Sequence, residues 1–351
     1  MRTTVSLLVL AGLALVLSGA AEPAGRSEAA RAPAAIGPPA WLKDVPYRIV
    51  YESFRDGNWE LMMVNADGSN PVNITKTPDV NELYPHVSPD GSKIAMLVNA
   101  GKGDAIRRSA WYMNFDGTGR RKVADDVREV CWNGDGTALA LLPAEFPNRY
   151  VHEDFATRGL AIYNLATGKM TDHPNKGLFH LLGLCWSPDN RWLVSTVYGG
   201  MGYSHTTLAF RVDDAKVHDL RITGCRPDLP LDMKRVAWGS SVSEISIADI
   251  DLAGDKPVLS NRRVFVQAGG GMKVYHVDWS PDGKYLAFSR GPENSDMGAA
   301  PEQPGVTGKG WNICVGNVGT GQWAQITTDG NSNKEPDWVP LPARSGAGAG
   351  R

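Results

Sequence analysis

Short runs in which apolar residues alternate with other types recur along most of the chain, and each run stops at a turn. Val277 and Trp279 precede Ser280-Pro281-Asp282-Gly283, and Leu286 and Phe288 follow it. A period of two marks a strand with one face against a core, so the pattern predicts a hairpin. The turn chemistry agrees, because Ser at i, Pro with its preset φ at i+1, Asp at i+2 and Gly at i+3 suit a type I turn. The same unit appears as Val87-Ser88-Pro89-Asp90-Gly91 and as Trp186-Ser187-Pro188-Asp189-Asn190, and in worn form over Trp132–Leu141 and Leu229–Trp238. A sixth copy is split, with Trp338-Val339-Pro340 supplying its first strand and Tyr47–Tyr51 the next.

Each unit carries a third apolar run with its own turn, namely Leu61–Val64, Trp111–Met113, Leu160–Tyr163, Leu208–Val212, Ile245–Ala248 and Asn312–Val315. Short fourth strands, such as Pro71–Thr75 and Gln322–Thr327, complete two of them. Counted at the turn aspartates Asp90, Asp135, Asp189, Asp232 and Asp282, successive copies lie 43 to 54 residues apart. Four strands per repeat at that period predict an all-β fold, a six-bladed β-propeller whose last blade is closed by strands from both ends of the chain.

The run Trp279-Ser280-Pro281-Asp282-Gly283-Lys284-Tyr285-Leu286-Ala287-Phe288, with third-strand runs such as Leu61 to Gly68, resembles the WD-like repeats of the TolB-like β-propeller family. The resemblance covers roughly residues 45 to 340 and implies the fold. For function it implies an exported binding or scaffold protein. The TolB protein also has an α/β domain ahead of its propeller, and the stretch before Tyr47 is too short for one.

Composition then narrows the compartment. Met1-Arg2, the apolar run Val5–Leu17 and the small residues Ser18-Gly19-Ala20-Ala21 read as a cleaved signal peptide over residues 1–21. The apolar run falls short of the ~20 residues of a membrane span. Export to the periplasm or beyond is the expectation, with no span left after cleavage. Residues 22–42 read as an Ala/Pro-rich linker, 43–342 as the propeller and 343–351 as a disordered tail. A formal charge of −2 offers no basic field for nucleic acid. Propellers need no partner to close their sheets, so a monomer is expected.

Four cysteines in an exported chain raise the question of disulfides. Cys131 and Cys185 each precede the Trp position of neighbouring blades, and Cys225 and Cys314 fall elsewhere in theirs, so four free thiols are expected.

Propeller topology also orders the candidate chemistry. The Ser-Pro-Asp-Gly turns share one face; the second-to-third connections share the other. Three segments read as long and irregular, Leu142–Arg158, Tyr198–His205 and Arg290–Gly310, all fall in second-to-third connections, which places the expected tunnel mouth on that face. Three residues before the Trp position the blades present Tyr84, Glu129, Gly183, Arg226, His276 and Glu335; one residue before it, His86, Cys131, Cys185, Asp228, Asp278 and Asp337. Charged groups at inner-strand positions point to a ring that binds a small polar or anionic ligand, or the tip of an envelope or extracellular protein. Glu82, Arg128, His180, Tyr275 and Lys334 are neighbours in sequence, and Trp311 is a candidate for ligand stacking. The turn aspartates and the repeated Trp132, Trp186, Trp279 and Trp338 are structural.

The alternative is a carbohydrate-active enzyme resembling the oligogalacturonate lyases, with His276, Arg226, His180 or Tyr84 as base and charge neutraliser. No short-range metal-ligand motif, G-x-S-x-G elbow or phosphate-binding loop is present, so no catalytic residue, metal ligand or cofactor is assigned.

Overall fold

A computed structural model describes residues 38–146, 155–293 and 305–340. The expected signal peptide, nearly all of the linker and the tail lie outside the described residues. Six four-stranded antiparallel sheets make up the six blades. From the inner strand outward, blade one is Val80–Val87, Lys93–Ala100, Arg107–Asn114 and Arg121–Asp125. Blade two is Val127–Trp132, Ala138–Pro143, Ala161–Asn164 and Met170–Asp172; blade three is Leu181–Trp186, Trp192–Gly200, Tyr203–Arg211 and Val217–Asp219. Blade four is Cys225–Asp228, Arg235–Ser241, Glu244–Asp251 and Val258–Gln267; blade five is Met272–Trp279, Tyr285–Pro292, Asn312–Asn317 and Trp323–Gln325. Blade six takes its inner strand, Ser332–Pro340, from the C-terminal side and Tyr47–Arg55, Asn58–Asn65 and Val72–Asn73 from the N-terminal side.

The turns form as their residues require. Gly91 N–H donates to Ser88 O at 2.8 Å and Gly283 N–H to Ser280 O at 2.8 Å. The turn aspartate accepts twice, as Asp282 does from Ser280 Oγ at 2.8 Å and from Lys284 N–H at 3.1 Å. The residue after Asp adopts a left-handed φ, 73° at Gly91 and 65° at Gly283, which is why glycine is preferred there. Asn190 and Met233 hold the same conformation in blades three and four, at 64° and 55°.

The cores lie between blades. Trp279 joins Ile245, Ile247 and Phe265 of blade four to Leu286 and Phe288 of its own blade. Residues Ala40–Asp44 form a 3-10 turn whose Leu42 is buried against the sixth-blade cluster, so packed structure begins just before Lys43. The four cysteines form no disulfide. Among the described residues no helix is long and apolar enough to cross a membrane.

One expectation about the loops changes. Tyr198–His205 is no irregular segment: Tyr198 pairs with His205 and Gly200 with Tyr203, so it is the tip of a long hairpin. The other two segments fall partly outside the described residues.

Gly291 shows how tightly blade five is packed, because a Cβ there would lie 2.4 Å from ring atoms of Trp311, itself fully buried. Gly291→Ala is expected to lower stability by about 1–3 kcal/mol through overpacking. Gly254→Ala, where the nearest atoms are 4.0 Å away, serves as the near-neutral control in the same urea titration. Equal midpoints for the two variants would refute the packing argument.

Candidate functional site

The inner strands are interrupted at one register. In five blades the residue three before the Trp position has a left-handed φ: Tyr84 52°, Gly183 62°, Arg226 57°, His276 55° and Glu335 50°. Pairing with the second strand skips there, between Leu83 and His86, Leu182 and Cys185, Cys225 and Asp228, and Tyr275 and Asp278. Four of these five residues carry side chains, for which left-handed backbone is costly, and such outliers gather at functional sites. The amide that leaves the ladder must still find an acceptor, and a side chain of the preceding blade supplies it. Tyr84 N–H donates to Glu52 Oε2 at 3.0 Å, Arg226 N–H to Thr196 Oγ1 at 3.1 Å and Glu335 N–H to Ser289 Oγ at 3.1 Å.

The bulges bring part of the expected ring together. Arg226 is its hub. Its guanidinium donates to the Tyr84 hydroxyl, lies over the Tyr84 ring at 4.6 Å, and comes within 3.6 Å of Glu335 Oε1 and 3.9 Å of Glu129 Oε1. His276 Nε2 reaches the same Glu335 Oε1 at 3.0 Å, and Glu129 accepts from Gly183 N–H at 2.9 Å. Behind this ring Lys334 pairs with Glu52 at 3.5 Å with both fully buried, and burial pulls the lysine pKa down and the glutamate pKa up.

The second ring, one residue before the Trp position, latches blade to blade. Asp228 Oδ2 accepts from Trp279 N–H at 2.7 Å, Asp278 Oδ1 from Trp338 N–H at 3.4 Å and Asp337 Oδ2 from Val87 N–H at 3.0 Å. The indole N–H of Trp338 donates to Asp278 O at 3.1 Å, so the aspartate holds its neighbour at two points. Asp278 also feels the charges of Asp228 and Asp337, each of which opposes its ionisation. Burial pushes Asp228 up to about 6. Burial, then mutual repulsion, pushes Asp278 and Asp337 well above the carboxylate range. His86, 3.6 Å from Asp337, is held down to about 4 by burial and by the Arg226 charge, so near neutral pH it brings no cation to the trio.

Both rings line one cavity of about 180 Å³. Glu129, Arg226, His276 and Glu335 form part of its wall, together with His86, Cys131, Cys185, Asp228, Asp278 and Asp337. Its remaining wall includes Pro89, Pro188, Pro230 and Pro281 of the turns. The cavity therefore opens on the Ser-Pro-Asp-Gly face, opposite to the face expected from the loops. The residue three before Trp stands mid-strand, and the buried Glu52–Lys334 pair lies behind it.

Several expected members stand elsewhere. Tyr84 is buried beneath Arg226 and is not part of the cavity wall. Trp311 is fully buried against Gly291, which leaves no face for a ligand. Glu82 pairs with Arg120 at 2.9 Å, and burial raises it to about 7. His180 binds Glu145 at 2.7 Å, away from the cavity lining. No group of three or more His, Cys, Asp or Glu side chains among the described residues is arranged to hold a metal. The bulges themselves had a signal in the sequence: Pro85, Pro227 and Pro336 occupy one register of three inner strands, and proline inside a strand marks an edge or a bulge.

No family model and no curated protein matches the chain. Solved structures do. TolB from Acinetobacter baumannii aligns with a TM-score of 0.60 at 15% identity, over 84% of this chain and 67% of that one. A chain of a nidogen/laminin complex aligns at 0.59 and 7% identity, over 84% of this chain and 99% of that one. Hydrazine synthase from Kuenenia stuttgartiensis aligns at 0.58 and 12% identity, over 84% of this chain and 47% of that one. An oligogalacturonate lyase in complex with manganese aligns at only 0.43, too loosely to carry an argument. At such identities the likeness concerns fold alone, and that fold is the six-bladed β-propeller.

Proposed function

We propose that the chain is an exported, non-enzymatic binding propeller that receives the cationic tip of a partner protein at the Ser-Pro-Asp-Gly face. The carrying observation is the charge of the cavity wall, which holds five carboxyl groups, Glu129, Asp228, Asp278, Glu335 and Asp337, and one guanidinium, Arg226. Near neutral pH Asp278 and Asp337 hold their protons, and an arriving cation would favour releasing them, so the wall suits a lysine, arginine or amino terminus better than the anionic ligand that the sequence suggested, and asparagine at these positions removes that response. Size agrees. Pockets for whole small molecules run to roughly 300–1,000 Å³, whereas about 180 Å³ suits the end of one side chain. Export rests on the leader sequence.

The lyase reading draws on one observation, the meeting of His276 and Arg226 at Glu335 Oε1. Against it, both groups are already engaged by carboxylates, and an acidic wall repels a polyuronate.

Envelope extract passed over immobilised wild type, with lysine-rich peptide, glutamate-rich peptide or acidic oligosaccharide as competitor, is the test. We expect one partner to be captured, the lysine peptide alone to displace it, and Asp278→Asn/Asp337→Asn to weaken capture about tenfold. Displacement by the oligosaccharide or the glutamate peptide would overturn the reading, as would equal capture by the double variant.

A further inference from the structure

Five blades end in outer strands of two to five residues: Val72–Asn73, Arg121–Asp125, Met170–Asp172, Val217–Asp219 and Trp323–Gln325. Blade four is the exception, because its outer strand, Val258–Gln267, has ten. Phe265 and Val266 at the far end join the core shared with blade five, and Leu259 near the start packs against the core shared with blade three. Ser260–Val264 are exposed throughout, and Val258 and Val264 show 57% and 39% of their surface. Ordering residues costs conformational entropy, and these exposed ones return little burial for it.

The edge is nonetheless well formed. Val258–Gln267 pairs with Glu244–Asp251 along its length, and among the described residues no strand pairs with its other side. A bulge at Asn261 and Arg262 is pinned, since Asn261 takes a φ of 52° and its amide donates to Asp249 Oδ2 at 2.6 Å. Arg262 lies 5.2 Å from the Trp238 ring centre. Exposed strand edges are templates for another strand, and proteins normally keep them short.

Charge decides what fits. Antiparallel pairing with a second copy about the strand centre sets Arg262 and Arg263 beside the same arginines, and like charges facing each other across a ladder are destabilising. Acidic residues at those positions reverse the sign. We propose that the outer edge of Val258–Gln267 accepts an added β-strand from another protein, an extended segment with acidic residues at its centre and β-branched residues at its ends.

The test uses the full chain and a synthetic peptide with two central glutamates between valine and threonine, its lysine counterpart, and the glutamate peptide with alternate amides N-methylated. Hydrogen exchange at residues 258–267 is expected to slow severalfold with the glutamate peptide only. Arg263→Glu, a substitution on the exposed surface, is expected to weaken binding about tenfold. Unchanged exchange at saturating peptide would overturn the proposal, as would equal binding of the lysine or N-methylated peptide. Self-association that protects the same amides would also overturn it, by making a second copy the occupant.

Discussion

Arg226→Ala is expected to destabilise the propeller by about 3–5 kcal/mol, the cost of stranding buried charge when one partner of a buried pair is removed. Two carboxylates lose the Arg226 cation at once, because Glu335 and Glu129 lie 3.6 and 3.9 Å from its Nη1 atom and both are largely buried. The Tyr84 hydroxyl and ring lose their partner as well. Arg226→Lys should recover only part of this, since an ammonium lacks the planar fork and the stacking face of a guanidinium. The measurement is the urea midpoint with the m-value checked for constancy. If Arg226→Ala unfolds at the wild-type midpoint, the ring is not a structural network and the account of its bulges must change.

The second large effect is a pH dependence of unusual sign. A carboxyl whose folded pKa exceeds its unfolded value, ~3.9 for Asp, takes up a proton on folding. The stability it contributes is complete below ~4 and is lost as pH rises through the folded value, which is about 6 for Asp228 and well above the ordinary carboxylate range for Asp278 and Asp337. The turn aspartates act the other way. At Asp67 and Asp90 burial is outweighed by serine hydroxyl and backbone donors, and at Asp116 and Asp135 the threonine hydroxyl dominates; all four folded values are lowered. Their stabilisation is present above ~4 and lost below it. The imidazoles of His86, His173 and His205, whose folded values burial lowers, oppose this decline below ~6.5, so urea midpoints are expected to fall with pH only above that value, where the imidazoles no longer titrate. Asp278→Asn, which keeps an acceptor for the Trp338 N–H and supplies amide donors without charge, should flatten that decline and gain about 1–3 kcal/mol at pH 7. A wild-type midpoint that climbs from pH ~6.5 to 8 would contradict the raised pKa values of the aspartate trio.

Much of the fold was legible because its turns are chemically explicit. Ser280-Pro281-Asp282-Gly283 and its copies specify local geometry residue by residue, and their spacing sets the blade count without any knowledge of packing. Even the worn copy at Asp232 and Met233 keeps the hydrogen bond from Met233 N–H to Pro230 O at 2.9 Å. The site was half legible. Alignment on the turn collected Glu129, Arg226, His276 and Glu335 into one ring, and the structure brings them together. It could not reveal that a cavity lies on the turn side of the ring, because that depends on how side chains from six separate inner strands pack in space. Nor could it show that Trp311 is wedged against Gly291, since both lie at strand ends where pattern does not separate a packing residue from a platform.

The split sixth blade has a consequence for the timing of activity in the life of the molecule. Glu335 and Asp337, which complete the two rings, lie on Ser332–Pro340, a strand held in place by Tyr47–Arg55 from the opposite end of the sequence. A nascent chain with five blades made has an open arc in place of a tunnel, with no closed cavity to offer a partner. On the binding function proposed above, competence arrives in one step with ring closure, and a chain clipped before residue 332 is expected to lose binding outright rather than weaken.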